Sequence, residues 1–445
     1  MTDQPRQAAP DSQRGEGDFD IGEIFFSRTD ERGVISAGND VFRRVSGYEW
    51  GELVGRPHKV IRHPDTPKGV FHLFWEELKQ GRSVSAYVLN RSKSGAPYWV
   101  FAIAAPIDGG YLSVRIKPCS DIFSAIQDEY ADLLKREADE RLTPEASDQA
   151  LRARLEEMGY DNYGAFACAA AAAETMARND ALDRTSPAII TAHTKISEAL
   201  DQMFRETRNL PEVLKQLQIT QVNMGVLASR IETGGGPITA IATIYSQLTQ
   251  EIGNWIDSFL NGSDNVFDHM RTAPRDASFM ASTAQAQRDA VDDFASFDIA
   301  DAPFDSGAEA KRLIALADET ERAAAAKIGE VAAAVRRLSG TADSLKREVS
   351  RLGSTRMICE VESARLSKNS ESLNEVVNRL TALQTELEQR QGRIENAAEA
   401  ILKELAEVNA DSRRNVAAPP TAGVSDELAA APGESDDASV SSQAA

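Results

Sequence analysis

The sequence is poor in cysteine and in basic residues and has no long apolar run, and each shortage excludes a class of protein. Only three of the 445 residues are cysteines, Cys119, Cys168 and Cys359, and they lie far apart without Cys-x-x-Cys spacing, so neither disulfides nor zinc sites are expected. Lysine and arginine total 49 against 69 acidic residues, and the resulting net charge of −20 disfavours nucleic acid or anionic lipid as a partner. No segment approaches the roughly 18 apolar residues of a membrane span, and the N-terminus lacks the apolar core of a secretion signal. We therefore expect a soluble, cytoplasmic, acidic protein.

Aromatic residues are missing from the last third of the chain. Of the 28 Phe, Trp and Tyr residues, 15 lie between Phe19 and Phe123, and none follows Phe304. Large side chains therefore predict a compact core near the N-terminus, whereas the last third must pack by another principle. Residues 1–18 and 413–445 are rich in small, proline and acidic residues, which predicts disordered tails.

Residues 19–120 have the pattern of an α+β sensor domain. The segments IFFSRT and VIS predict two short strands around a turn, and NDVFRRVSGY predicts a short helix that begins at Asn39. A second helix, KGVFHLFWEELKQG, follows Asp65-Thr66-Pro67, which can cap and start it. SVSAYVLNR, PYWVFAIAAPI and YLSVRIKP, joined by glycine-containing turns, predict three further strands. The expected fold is a five-stranded antiparallel sheet with short helices, followed by a mainly α region.

The remaining chain predicts helices, first at 121–305 and then as a long coiled coil at 306–412. Starting at Val331 and stepping alternately by four and three as far as Val408, most positions are apolar; we call these positions the seam. A sustained 3.5-residue repeat is typical of a coiled coil, because a lone helix would leave the whole stripe in water.

The seam is interrupted by polar residues in its middle, at Arg356, Ser363 and Ser370. Either a kink or hairpin tip at this point, or simple tolerance of polar residues, accounts for the interruption. Because coiled coils commonly dimerise the output regions of sensors, the sequence predicts a homodimer. Whether the helices run parallel or antiparallel is left open.

The stretch SGYEWGELVGRPHKVIRHPDTPKGVFHLFWEELKQG, followed by NRSKSGAPYWV, resembles the PAS domain of bacterial aerotaxis receptors. In that group the pattern S-G-Y-x-x-x-E-L-x-G-x-P-H-x-x-x-R-H-P-D-x-P recurs, and every fixed letter is present in this sequence. The resemblance covers residues 20–118. It implies a PAS fold that holds FAD non-covalently, with a redox state that reports oxygen or electron transport.

The resemblance also implies which side chains contact the flavin. Arg62 and His63 offer donors to phosphate or ribityl oxygens, and Trp75 offers a flat surface on which a ring can stack. An amide such as that of Asn90 can pair with the polar edge of the ring because it both donates and accepts. Asp65 orients Arg62 or caps the next helix, and Asn39 has the alternative role of a helix cap. The complete implied set is Asn39, Arg62, His63, Asp65, Trp75 and Asn90.

The sequence also allows alternatives to FAD as the ligand of this domain. His72 lies on the helix where a haem-binding PAS domain carries its axial ligand, so haem is an alternative to FAD, and an empty domain is another. A light-driven flavin–thiol adduct is not expected, since Gly55-Arg56-Pro57-His58 has no cysteine where a photoactive flavin domain needs one. Val84 stands where the family commonly has a second tryptophan.

A second, weaker resemblance concerns the output region. QVNMGVLASRIE at 221–232 is similar to the hairpin tip of methyl-accepting chemoreceptors, although the Ala-Ala-Arg-Ala-Gly-Glu that should follow is absent. VESAR at 361–365 repeats part of the same pattern. The resemblance implies a degenerate or duplicated chemoreceptor-like hairpin that contacts chemotaxis kinase or adaptor proteins, whereas a generic amphipathic helix would give the same pattern.

Together these patterns predict a cytoplasmic, dimeric redox or oxygen sensor without catalytic residues or a metal site. The main alternative is a cofactor-free PAS and coiled-coil scaffold that mediates protein–protein interaction. A flavoprotein enzyme is a third hypothesis, and it would require turnover of a reduced substrate.

Overall fold

A computed structural model describes residues 16–232, 235–260, 266–295, 302–365 and 370–417. The chain divides into two compact units; the boundary after Thr185 lies in a loop, and the other three fall within helices. Unit 1 comprises Met1–Thr185, Ser282–Thr320 and Ser412–Ala445, and unit 2 comprises Ser186–Ala281 and Glu321–Asp411. Most of the two predicted tails lies outside the described residues. The last described helix nevertheless reaches Ala417, five residues into the predicted C-terminal tail.

The N-terminal domain in unit 1 contains the predicted five-stranded antiparallel sheet, in the strand order β2-β1-β5-β4-β3. Short helices lie between the second and third strands, as the sequence predicts. The elements are β1 (Phe25–Asp30), β2 (Ile35–Gly38), α1 (Asp40–Ser46), α2 (Trp50–Leu53), a 3-10 helix (His58–Ile61), α3 (Lys68–Lys79), β3 (Val84–Arg91), β4 (Pro97–Ile107) and β5 (Gly110–Ile116).

The rest of the described chain is helical, in agreement with the predicted mainly α region. No helix among the described residues combines the length and the apolar character needed to cross a bilayer. The helices are α4 (Asp121–Asp139), α5 (Pro144–Glu157), α6 (Tyr163–Ala181), α7 (Ala188–Ile231), α8 (Pro237–Leu260), α9 (Val266–Ala295), α10 (Ser306–Arg365) and α11 (Ser370–Ala417).

Helices of unit 1 cover the outer face of the sheet. Tyr87 on β3 stacks on Phe123 of α4 at 5.5 Å between ring centroids, and Phe26 on β1 meets Phe294 of α9 edge-on at 5.0 Å. The Tyr163 hydroxyl of α6 donates to the Ser85 carbonyl at 2.6 Å. The residues of β3 from Val84 to Asn90 are buried on both of its faces. The inner face of the sheet lies opposite these helices and forms one wall of a cavity.

The start of α3 differs from its sequence prediction. Asp65 makes no cap; the N-cap residue is Pro67, which has no side-chain acceptor. Instead, the Lys68 amide donates to the Glu137 carboxylate of α4 at 2.6 Å, and the Gly69 amide donates to the Ser147 hydroxyl of α5 at 3.1 Å. Side chains distant in sequence thus satisfy the free amides of the first turn, which local sequence could not predict.

A buried carboxylate joins the end of the sheet domain to α6. Glu174 accepts hydrogen bonds from the Tyr87 hydroxyl of β3 at 2.8 Å, from the Ser120 hydroxyl at 2.6 Å and from the Cys119 amide at 2.7 Å. Its side chain is fully buried, and a buried charge is stable only when donors surround it. The segment that leaves β5 is therefore fixed to α6 and, through Tyr87, to the edge strand β3.

In unit 2, helices α7, α8, α10 and α11 form an antiparallel four-helix bundle. Contacts within each hairpin join Gln221 to the Ala242 carbonyl and Ser363 to Asn374. Contacts between the hairpins include an ion pair of Glu206 with Arg393 at 2.8 Å and a hydrogen bond from the Tyr245 hydroxyl to the Leu352 carbonyl. Along α7, the contacts run from Ala188 through Glu206 to Gln216, while their partners in α11 run back from Asp411 through Arg393 to Arg379.

The described seam positions from Val331 to Val408 are buried, except Arg356, which is half-buried and donates to Gln384. The seam divides between α10 and α11, which run in opposite directions, so the polar interruption spans a reversal of the chain. The described part of the seam is covered by helices of the same chain. The predicted homodimer stays a prediction, and it would require another surface.

The two hairpins repeat each other at a spacing of 135 residues. Met224 of α7 and Cys359 of α10, which are 135 positions apart, touch through their sulfur atoms at 3.8 Å. Exposed apolar residues also correspond: Val222 matches Met357, and Val226 matches Val361. The buried positions of the first hairpin that have buried counterparts 135 positions later include Ile196, Leu200, Met203, Leu210, Leu214, Leu217, Ile238, Ala242, Tyr245, Leu248, Ile252 and Ile256.

Candidate ligand-binding cavity of the sensor domain

A cavity of about 270 Å³ lies between the inner face of the sheet, α3 and the 3-10 helix. Its volume is close to the lower end of the range of small-molecule sites. Two alanines of β4, Ala102 and Ala104, line it, and their small side chains leave space at the centre of the sheet. Aromatic residues form much of the opposite wall, namely Phe71, Phe74 and Trp75 of α3.

Asn90 is the clearest polar group in the cavity wall. It lies on β3, faces the same side of the sheet as Val88, and is 3% exposed. Its backbone pairs with Tyr98 and Arg62, but within the described chain its side-chain amide has no hydrogen-bond partner. The amide faces the cavity, so it is free to pair with a ligand that offers both a donor and an acceptor there.

Arg62 and Trp75 also line the cavity, as the resemblance implies for flavin contacts. The Arg62 guanidinium carbon lies 3.7 Å from the centroid of the Phe71 ring, a cation–π contact, and burial lowers its pKa. Trp75 meets Tyr111 edge-on at 5.4 Å. It also lies against Gly33, where an added Cβ would come within 2.8 Å of the indole and where φ is +74°, so only glycine fits.

The other three predicted residues are not part of the cavity lining. Asn39 is buried beside α1: its carbonyl oxygen accepts from the Phe42 and Phe26 amides, and its NH₂ group donates to the Ile24 carbonyl. His63 accepts a hydrogen bond from the Asp65 amide at 3.1 Å. The Asp65 side chain is 68% exposed. The structure thus brings three of the six predicted residues together and gives Asn39 the helix-capping role.

His72, the alternative haem ligand, points toward α5. Its Nδ1 atom lies 3.1 Å from the Asp148 carboxylate, and its Nε2 atom lies 3.8 Å from that of Glu145. It does not line the cavity. His72, Glu76 and Asp148 are close enough to suggest a metal site, but Arg152 forms ion pairs with both carboxylates, so a metal ion would have to compete with the guanidinium for them.

Sequence reasoning missed a polar group at β5. Arg115 donates to the Ser27 hydroxyl at 2.9 Å and to His58 Nε2 at 2.8 Å, and all three residues line the cavity. The only available signal was the alternation of Tyr111, Ser113 and Arg115 along the strand, which on an amphipathic strand usually marks the face toward water.

Burial controls the charges of this group. It lowers the pKa of Arg115 to about 10, and burial together with the neighbouring guanidinium holds the pKa of His58 well below its usual value. Because arginine can only donate, His58 Nε2 must accept, so the imidazole is neutral with its proton on Nδ1. Arg115 is therefore cationic at neutral pH, and His58 is not.

Comparison with known proteins agrees with this architecture. Residues 35–114 match a family described as the PAS fold. The N-terminal domain is a PAS domain. Around it, 112 residues are 42% identical to the aerotaxis receptor of Escherichia coli K12, which covers 24% of this chain and 22% of the receptor.

The PAS domain is also similar to the biofilm dispersion protein BdlA of Pseudomonas aeruginosa, with 30% identity over 104 residues, or 23% of this chain and 25% of that protein. The light-state structure of the blue-light photoreceptor Aureochrome1 LOV aligns with 23% of this chain and 88% of that chain, at 21% identity and a TM-score of 0.22. The chain thus spans about a quarter or less of the length of these two curated relatives.

Proposed function

We propose that the protein is a cytoplasmic signal-transduction protein that senses redox state or oxygen through a flavin, FAD, held in the PAS cavity. The observation that carries the proposal is the unpartnered amide of Asn90, buried in an aromatic-walled cavity that Arg62 and Trp75 also line. These are the donors, the acceptor and the flat surface that an isoalloxazine ring requires. The resemblance of the Arg-His-Pro-Asp region to aerotaxis receptors supports FAD as the flavin.

Cysteine chemistry offers no competing redox site. None of the three cysteines, Cys119, Cys168 and Cys359, lines the cavity, which also argues against a flavin–thiol adduct. Burial raises the pKa of Cys359 to about 11, and partial desolvation together with the neighbouring Glu174 carboxylate raises that of Cys119, although this residue is exposed at the surface, to about 11. Thiols with such pKa values are rarely ionised at neutral pH and react slowly with oxidants.

Within unit 1, Glu174 provides a route from the cavity to the helices. Reduction of a flavin changes the charge and hydrogen bonding at its polar edge, and Asn90 on β3 would respond to that change. Three residues before Asn90, Tyr87 leaves the opposite face of the same strand and donates to Glu174, which also holds Ser120 at the exit from β5. A shift of β3 would therefore bias the position of α6, after which the chain continues into α7.

The helical hairpins of unit 2 are proposed as the output. Their resemblance to the chemoreceptor tip supports a chemotaxis kinase or adaptor as partner, and dimerisation would use a surface other than the seam. The proposal includes no catalytic residue, and the protein is not proposed to be an enzyme.

The test is the absorbance spectrum of the purified full chain, with the cofactor released by heat and identified. We expect a flavin band that bleaches with dithionite, FAD in the supernatant, and loss of most of the flavin in Trp75→Ala. Trp99→Ala is the matched control, because Trp99 lies on the outer face of the sheet against Phe123 and should alter stability rather than flavin content per folded molecule.

Three outcomes would overturn the proposal. A colourless protein that takes up no FAD on incubation would favour the cofactor-free scaffold, and a haem Soret band would require a haem ligand other than the outward-pointing His72. Steady oxidation of NADH or NADPH by the flavin-loaded protein would favour the enzyme hypothesis instead.

A further inference from the structure

Arg115 is a buried cation that has no counter-anion among the described residues. The residue is 6% exposed, and in the part of the chain that the structure describes its two hydrogen-bond partners, Ser27 and His58, are both neutral. Burying a charge without an opposite charge costs several kcal/mol, and native proteins rarely accept that cost without a function.

The surrounding residues keep Arg115 available instead of neutralising it. A guanidinium has five N–H donors, and the Ser27 hydroxyl and His58 Nε2 engage one terminal nitrogen each, which fixes the plane of the group. His58 is fixed in turn, since its ring stacks on Phe42 at 5.9 Å with an interplanar angle of 3°. Arg115 itself lines the cavity, so its remaining donors can meet a ligand.

We propose that Arg115 binds the N1–C2 carbonyl edge of the flavin and favours its reduced state, and that His58 and Ser27 are positioning residues. The inference rests on the proposed flavin function. Two electrons and one proton, from dithionite in the experiment or from an electron-transport donor in the cell, convert the neutral oxidised ring into a reduced ring with one negative charge at that edge. A fixed cation beside it stabilises the product more than the reactant.

The experiment measures the midpoint potential of the bound flavin in the full-length wild type, in Arg115→Gln and in Arg115→Lys. Neutralising the charge in Arg115→Gln should weaken the preference for the reduced state at least tenfold, a shift of about −30 mV or more for a two-electron couple. Arg115→Lys keeps the charge and should shift the potential less. Arg91→Gln, an exposed arginine at the end of β3, is the matched control and should leave the potential unchanged.

The outcomes separate this inference from the proposed function. If the wild type binds no flavin, both are overturned. If the wild type binds flavin and Arg115→Gln and Arg115→Lys both retain its potential, only the role of Arg115 is overturned. If Arg115→Gln folds, as judged by circular dichroism, but no longer retains flavin on purification, titrations with oxidised and with reduced FAD decide the question: a larger loss of affinity for reduced FAD supports the inference, and an equal loss for both forms overturns it.

Discussion

At the scale of single residues, Asn39 and Asn90 are both buried, but only Asn39 has partners for its amide within the described chain. Asn90→Ala removes no hydrogen bond from the protein, so we expect the free energy of unfolding without ligand to change by less than about 0.5 kcal/mol. The same change should weaken flavin binding about tenfold, because one hydrogen bond to a buried ligand contributes roughly 0.5–1.5 kcal/mol. Chemical denaturation and a flavin titration measure the two quantities.

Asn39→Ala is the matched variant and should behave in the opposite way. It removes the cap of α1 and two other buried hydrogen bonds, so we expect a loss of about 2–3 kcal/mol in stability. Flavin affinity per folded molecule should be unchanged. Equal losses of affinity in both variants would contradict the placement of Asn39 outside the cavity.

His58 makes the stability of the PAS domain depend on pH. Its pKa is depressed in the folded state, so below about pH 6.5 the unfolded chain takes up a proton that the folded chain does not. The contribution of His58 is therefore fully present above pH 6.5 and is lost as the pH falls, by up to about 1.4 kcal/mol per pH unit.

His58→Gln should flatten this part of the profile of unfolding free energy against pH. A smaller slope should remain, because burial also lowers the pKa of His193. An identical slope in wild type and His58→Gln, measured by urea unfolding between pH 5.5 and roughly 7.5, would rule out this assignment.

Three cavity residues could be predicted from the sequence, whereas Arg115 could not, and the reason is physical. Arg62, Trp75 and Asn90 were predicted because they belong to a motif or a resemblance. Alternation along β5 correctly divides its residues between two faces, but it cannot tell a face toward water from a face toward an internal cavity. Alternation along the strand therefore gave no reason to single out Arg115 as a cavity residue.

At the scale of helices, the repeat at 135 residues allows each position in one hairpin to be compared with the equivalent position in the other. Gln391 of α11 is buried and donates to Glu395 at 2.9 Å, whereas its counterpart in α8 is the buried Ile256. We expect Gln391→Leu to raise the free energy of unfolding by about 1 kcal/mol, since apolar burial there outweighs one modest hydrogen bond.

The reciprocal change provides the control. Ile256→Gln should lower the free energy of unfolding by about 2–3 kcal/mol, because it introduces a buried amide at an apolar position. If both variants change stability in the same direction by similar amounts, the two positions are not equivalent in packing. Urea unfolding followed by circular dichroism at 222 nm measures both.

The sequence predicted the seam but not the surface that covers it. A 3.5-residue repeat reports only that one stripe of a helix is buried, and the stripe is the same whether the partner helix belongs to another chain or to the same one. The deciding observation is the matching stripe on α7, where Thr207 and the half-buried Gln221 interrupt the apolar pattern.

At the scale of the whole molecule, the covered seam predicts that the bundle folds without association. Its melting temperature should be independent of protein concentration over roughly a hundredfold range, since concentration dependence arises only when folding is coupled to assembly. Calorimetry with parallel analytical ultracentrifugation tests this. A melting temperature that rises with concentration would indicate that a second chain completes the bundle.

The contact between Met224 and Cys359 has a consequence for how the protein can evolve. In a bundle made from two identical chains, every substitution enters both halves, so neither half can change without the other. Here each hairpin is a separate stretch of one chain, so a substitution enters only one of them. The corresponding positions 224 and 359 already carry different residues, Met and Cys. Selection can therefore act on each hairpin separately, and exposed apolar residues at corresponding positions, such as Val222 and Met357, can diverge independently.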